Sequence, residues 1–178
     1  MHEGSPARAL EVTILCALRT REVREAQWSE INLTEREWII PAARMKIKDG
    51  KEHRVPLSDR MIEILSNLPH EAGSDFVFPG DRPLRPLHYR SLFGMLRSMR
   101  SDLTVHGFRS SFSDWSHEET SVEHYAIEAS LAHVAGKVTR AYHRGDLFKK
   151  RRALMDAWSA YCTGTEPTGN VVQFNKAG

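Results

Sequence analysis

At 178 residues, 40% of them hydrophobic and 27% charged, the chain has the length and balance of one globular domain with its own core. No apolar run of about 18 residues is present to cross a membrane, and Met1-His2-Glu3-Gly4-Ser5-Pro6 lacks the basic-then-apolar layout of a secretory signal. Two cysteines, Cys16 and Cys162, are too few for a disulfide framework or a zinc site, so a cytoplasmic location is expected. The net charge of +2 is small, but the cations cluster. One group is Lys46, Lys48, Lys51 and Arg54, and another is Lys149-Lys150-Arg151-Arg152. Taken alone, such runs read as solvated faces.

In chain order, residues 6–18 place Ala7, Leu10, Ile14, Leu15 and Leu18 on one side of a helix, and Cys16 falls within it as a buried small hydrophobe. A second helix is expected from Thr20 to Trp28, capped by Thr20, with Glu22 and Glu25 in its first turns. The period then changes to that of strands at Trp38-Ile39-Ile40 and at His53-Arg54-Val55-Pro56-Leu57. Lys48-Asp49-Gly50-Lys51 between them carries the Asp-Gly pair of a hairpin.

Ser58 or Asp59 caps a helix through Leu68, and Phe76-Val77-Phe78 is a short extended piece ended by Pro79-Gly80. Residues 81–87, with two prolines, form a loop. Helices are expected at about 88–100, 106–117, 121–132, 137–143 and 146–161, the last packing on the domain through Leu147, Leu154, Trp158 and Tyr161. The fold class is therefore mostly α with one small antiparallel sheet, an α+β domain over residues 1–162. Residues 163–178 form a Gly-, Thr- and Pro-containing tail in which Val171-Val172-Gln173-Phe174 could add a strand to a neighbour.

His106 and Arg109 stand three apart and so share a helix face, while Phe108 and Phe112 can anchor that helix in the core. The arginine offers a planar fork that fits two phosphate oxygens. Arg19 follows the apolar Ile14-Leu15-Cys16-Ala17-Leu18, and Glu22 lies one turn on. That pair either joins two helices or holds Arg19 pointing into a phosphate pocket, and the local sequence does not choose. A metal hydrolase is disfavoured, because His117-Glu118 has no second histidine at ligand spacing.

Four segments together carry a resemblance. Ala17-Leu18-Arg19-Thr20-Arg21-Glu22-Val23 with Trp28-Ser29-Glu30-Ile31 resembles the first arginine box of the tyrosine recombinases, the phage-integrase family, in its satellite-phage prophage form. His106-Gly107-Phe108-Arg109-Ser110 resembles the second box, and Leu131-Ala132-His133 the family's Leu-Gly-His motif in a Leu-Ala-His form. Tyr142 follows nine positions after His133, the family's usual spacing.

The resemblance implies the tyrosine recombinase catalytic-domain fold and a metal- and ATP-independent enzyme with no cofactor. In this reading Arg19 and Arg109 clamp the non-bridging phosphate oxygens, His106 and His133 add hydrogen bonds, and Tyr142 is the nucleophile of a 3′-phosphotyrosine intermediate. A hairpin lysine protonates the leaving 5′-oxygen. Lys46 and Lys48 compete for that role, because counts from the two strands disagree, and Lys46 is favoured. Lys51 and Arg54 are phosphate contacts or plain surface.

Arg21 departs from the family, which commonly has a small residue there, so it either contacts DNA or crowds the turn. The chain begins almost at the first box, so the N-terminal DNA-binding domains of full-length members are expected to be absent. The implied partners are double-stranded DNA attachment sites, with a homotetramer on DNA for a full-length protein and a monomer for this domain. The implied function is site-specific recombination for prophage or genomic-island integration and excision. The alternatives are DNA relaxation of the type IB topoisomerase kind and a catalytically silent DNA-binding remnant.

Overall fold

The computed structural model describes residues 4–46, 51–82, 84–133 and 145–165. Helix α1 spans Ser5–Leu15, with Pro6 in its first turn, where a missing N–H costs nothing. It buries Ala9, Leu10, Val12 and Leu15 and stops short of the expected Leu18. Ala17 takes a left-handed conformation at φ 48°. The N–H of Ala17 then reaches the carbonyl of Ile14 at 3.1 Å, and that of Leu18 reaches Thr13 at 3.3 Å. This paired closure satisfies the last carbonyls of a helix and turns the chain sharply.

Helix α2 is only Thr20–Arg24, and its N-cap is Arg19 rather than Thr20. The reason is Glu22, whose carboxylate takes the Arg19 backbone N–H at 2.8 Å and so fixes the helix start one residue earlier. The helix expected to run to Trp28 ends at Arg24, and Trp28 opens a 3₁₀ turn, Trp28–Glu30, that leads into a strand.

The sheet is antiparallel, in the order β1 (Ile31–Asn32), β2 (Glu37–Ile40), β3 (His53–Pro56). In its register Trp38 faces Val55 and Ile40 faces His53. Strand β1, two residues long, was too short for alternation to reveal. The Asp-Gly tip of the hairpin lies outside the described residues.

Helix α3 (Asp59–Ser66) starts after Ser58, whose hydroxyl bonds Ser159 Oγ at 2.9 Å instead of capping the helix. The extended piece at 76–78 docks on the 3₁₀ turn, where Gln27 bridges Phe76 and the Val77 N–H bonds the Ala26 carbonyl at 2.9 Å. Helix α4 (Ser91–Met99) packs on α1, and α5 (Gly107–Glu119), α6 (His124–Ser130) and α7 (Phe148–Thr163) complete the described helices. The helix expected at 137–143 lies outside the described residues.

Two apolar clusters result. One joins α1, α3, α4 and the sheet around Trp38, Leu57, Met61, Phe78 and Leu92. The other joins α5, α6 and α7 around Phe112, Ile127, Leu154 and Trp158. Phe112 meets Trp158 edge-on, with ring centroids 5.5 Å apart. Ile14 touches both clusters, and its carbonyl accepts the Trp158 indole N–H at 2.9 Å, so the end of α1 joins the two halves. No helix among the described residues is long and apolar enough to cross a membrane.

Candidate active site

Three chain reversals meet where the two clusters touch. The first is the Ala17 turn after α1. The second is the end of α6, built the same way, with Ala132 at φ 51°. There the Ala132 N–H bonds the Ala129 carbonyl at 3.2 Å, and the His133 N–H bonds the Glu128 carbonyl at 3.0 Å. The third is the start of α5, where His106 is the N-cap and Arg109 lies in the first turn.

Arg109 is 5% exposed, yet no carboxylate hydrogen-bonds its guanidinium among the described residues. Backbone holds it instead. Nη1 donates to the Ala17 carbonyl, and Nη2 donates to the Leu131 carbonyl at 2.7 Å. Each of the first two reversals thus supplies one carbonyl to the same arginine. Burial pushes the Arg109 pKa down to about 10, and the nearby charge of Arg19 adds to that, while Glu22 and Glu128 oppose it. The group stays cationic at neutral pH. A buried cation that neutral carbonyls hold, and that no ion pair cancels, is a seat for an anion.

Arg19 is positioned differently. Its Nη1 lies 2.9 Å from Glu22 Oε1, and that carboxylate is 2% exposed. Glu22 also accepts the Arg19 backbone N–H, so one acid fixes both the backbone and the side chain of the residue it orients. Both sequence readings of this pair are therefore compatible, since the contact joins two segments and also aims a guanidinium. Arg21 does not crowd the turn. Its side chain is 70% exposed and pairs with Glu25 at 3.0 Å.

His133 stands beside Arg109, its Nε2 3.3 Å from Arg109 Nη2, and its Nδ1 is 2.9 Å from Glu128 Oε2. His106 is exposed at the N-cap, and its carbonyl accepts the Arg109 N–H at 3.1 Å. Its side chain makes no bond to Arg19, Arg109 or His133 among the described residues. Phe108 packs on the first cluster and Phe112 on the second, so α5 is anchored on both sides as its spacing predicts.

Lys46 is exposed just after the 3₁₀ turn Ala42–Arg44. Arg44 ties that turn to the first box. Its Nη2 lies 2.9 Å from Glu30 and 3.0 Å from the Glu22 carbonyl, while Nη1 reaches the Glu25 carbonyl. The turn that precedes Lys46 is thereby fixed to the helix that aims Arg19. Lys48 and Tyr142 lie outside the described residues.

Two cationic groups depart from expectation. Arg54 is not plain surface. It bonds Glu37 at 2.7 Å and Asp146 at 3.2 Å and lies 4.1 Å over the Phe148 ring. The run Lys149-Lys150-Arg151-Arg152 is not one solvated face, because a helix sends consecutive residues in different directions. Lys149 is exposed and Lys150 pairs with Glu123, but Arg151 is 2% exposed. Arg151 donates from Nη2 to the Arg54 carbonyl and from Nη1 to the Asp146 carbonyl at 3.4 Å.

His53 went unrecognised in the sequence. It is 7% exposed, its ring is bonded to the Ser130 backbone, and its Nε2 has no partner among the described residues. Burial first, then the charges of Arg151, Arg109 and Arg19, push its pKa down to about 3. It is a neutral imidazole embedded among three arginines. Strand alternation holds the missed signal, since His53 shares a face with Val55 and Leu57.

Comparison with known proteins identifies the family and the fold. Residues 5–147 match the model of the phage integrase family. Prophage integrase IntA of Escherichia coli K12 is 38% identical over 151 residues, which cover 82% of this chain and 36% of that protein. Prophage integrase IntZ of the same strain is 35% identical over 154 residues, covering 85% and 38%. The integrase of Shigella phage Sf6 is 33% identical over 157 residues, covering 85% and 40%. The chain thus spans well under half the length of these relatives.

Among solved structures, an integrase from mycobacterium phage Brujita superposes with a TM-score of 0.69 at 18% identity, over 97% of this chain and 55% of that one. The XerA recombinase superposes at 0.54 and 16% identity, over 84% and 61%. Mostly helical architecture with a three-stranded antiparallel sheet is common to the expectation and the structure, and on the match of its residues 5–147 the chain belongs to the phage integrase family.

Proposed function

We propose that this chain is the catalytic portion of a site-specific tyrosine recombinase that cuts and rejoins double-stranded DNA at attachment sites, as in prophage or genomic-island integration and excision. The observation that carries the reading is Arg109, a buried guanidinium with no carboxylate bonded to it, seated between two carbonyls beside His133 and near Arg19. A phosphodiester carries one negative charge, and the charge on its oxygens grows as a nucleophile attacks. Arg19 and Arg109 stabilise that charge on the non-bridging oxygens, and His133 and His106 add hydrogen bonds.

Tyr142 gives its phenolic proton to His106 as its oxygen attacks phosphorus, a phosphotyrosine bond forms, and the bond to the 5′-oxygen breaks. The leaving oxygen takes a proton from Lys46 and departs as a hydroxyl. Religation reverses these steps and needs no ATP, because the phosphotyrosine retains the energy of the broken bond. In this reading a full-length relative works as a tetramer on DNA, the isolated chain is monomeric, and both act in the cytoplasm.

The test is a nicked suicide substrate carrying attachment-site DNA, incubated at low salt without added metal. The expected result is a denaturation-resistant protein–DNA adduct that disappears in Tyr142→Phe. Lys46→Ala should then regain cleavage on a substrate with a good 5′-leaving group, whereas an unaffected Lys46→Ala would transfer the acid role to Lys48. Relaxation of supercoiled DNA without joining of two sites would favour the topoisomerase reading. DNA binding without any adduct would favour a silent remnant.

A further inference from the structure

We infer that Glu128 is a positioning residue for His133, one that fixes the tautomer and ring plane of that imidazole and so decides which nitrogen meets the phosphate. The inference rests on the recombinase reading for its catalytic consequence, but its geometric content stands independently.

His133 is tied to Glu128 twice. Its backbone N–H bonds the Glu128 carbonyl at 3.0 Å across the left-handed Ala132, and its Nδ1 lies 2.9 Å from Glu128 Oε2. An ionised carboxylate only accepts, so Nδ1 carries the hydrogen. On the other side of the ring, Nε2 lies 3.3 Å from Arg109 Nη2, and a guanidinium only donates. Both neighbours therefore demand the same tautomer, Nδ1–H with a lone pair on Nε2. The ring reports this arrangement from two independent elements, α6 and α5.

The consequence is directional. With Nδ1–H committed to Glu128, a proton that comes to the ring from solvent can go only to Nε2. The imidazolium so formed donates from Nε2 to the phosphate oxygen that Arg109 also holds, while the Glu128 carboxylate balances its charge. Without Glu128 the ring is free to rotate and to take the Nε2–H tautomer that an unrestrained imidazole prefers. That tautomer would set an N–H against Arg109 in the DNA-free protein. The arrangement follows the general rule that a histidine's second ring partner sets what its first can do.

The test uses the 178-residue chain with His133 followed by imidazole nitrogen NMR, in parallel with single-turnover adduct formation and DNA affinity. In the wild type Nδ1 should show the shift of a protonated nitrogen and Nε2 that of a lone pair. Glu128→Ala should lose that pattern and slow adduct formation by about tenfold to a hundredfold, the size of a lost charge-assisted hydrogen bond, with the DNA Kd unchanged within about twofold. Glu128→Gln keeps an acceptor without the charge, so it should keep the tautomer and fall between the two in rate. In a His133→Ala background, Glu128→Ala should add nothing.

An unchanged tautomer in Glu128→Ala overturns the inference. So does a rate loss that persists in full on top of His133→Ala, because Glu128 would then act on something else. A wild-type chain that binds DNA yet forms no adduct overturns the recombinase reading instead, and the tautomer measurement then still decides whether Glu128 orients His133.

Discussion

The sheet-bearing half and the all-helical half hold their arginines in opposite ways. Around α2 and the sheet, cations pair with acids: Arg19 with Glu22, Arg54 with Glu37, and Arg44 with Glu30 in addition to the carbonyls of Glu22 and Glu25. Around α5 to α7, buried cations are oriented chiefly by carbonyls. Arg109 takes those of Ala17 and Leu131, and Arg151 those of Arg54 and Asp146, with the Asp146 carboxylate 3.9 Å off. An acid aims an arginine and also cancels much of its charge. A carbonyl aims it and leaves the charge to act. The two modes therefore divide the labour between a braced frame and a pocket whose positive field awaits an anion.

The sharpest way to break that contrast is Arg109→Met. Adduct formation should fall by about 10²–10³-fold, the usual loss when one donor to a developing charge is removed. The melting temperature should move by no more than about 4 °C, because an unpaired buried cation contributes little net stability. A large fall in melting temperature would show that Arg109 is mainly a structural brace.

Next in size is an acid sensitivity located at His53. Its folded pKa, about 3, lies below the ordinary 6.5, so the unfolded chain binds its proton first as pH falls. The associated stability is complete above pH 6.5 and is lost progressively as the pH falls from 6.5 to 3. Urea melts of the wild type and His53→Gln at pH 7 and pH 4.5 check this, since the variant should show the smaller drop.

Glu22→Ala should cost about 3 kcal/mol, because it strands a half-buried Arg19 and an unpaired helix-start N–H. It should also reduce cleavage, so that stability and activity fall together, unlike Arg109→Met. The smallest effect belongs to Arg54→Ala, about 1 kcal/mol or less by chemical denaturation, since that side chain pairs while 36% exposed. Cleavage should be unaffected, which would confirm that this cation belongs to the frame.

Which of these features the sequence displays follows from how each is built. Arg19 with Glu22 and His106 with Arg109 lie at helical spacing, so their shared faces are visible as numbers along the chain. Helix ends were harder. Both α1 and α6 end through alanines in the left-handed region, where the signal for a stop is normally glycine. The Glu128–His133 contact escaped for the same reason, since a separation of five is no helical neighbour until the chain reverses at Ala132. Arg151 escaped because burial of a charge depends on neighbours far away in sequence, here Arg54 and Asp146. The burial of His53 is legible from its alternation with Val55 and Leu57, although the cations on either side of it, Lys51 and Arg54, carry the pattern of a surface.

The ends of α1, α6 and α7 also differ in a way that matters for engineering. At the end of α7 the left-handed position is Gly164, at φ 67°. At the ends of α1 and α6, the two that grip Arg109, it is alanine, a residue that carries roughly 1 kcal/mol of backbone strain there. Ala17 and Ala132 are thus latent thermostabilising positions: glycine at either relaxes the turn without touching a charged group. Glycine would also loosen the two carbonyls that hold the guanidinium. Tolerance to heat and precision of grip are set against each other at these two methyl groups, and a more heat-stable version of this domain made through them would be bought with a slacker hold on its anion.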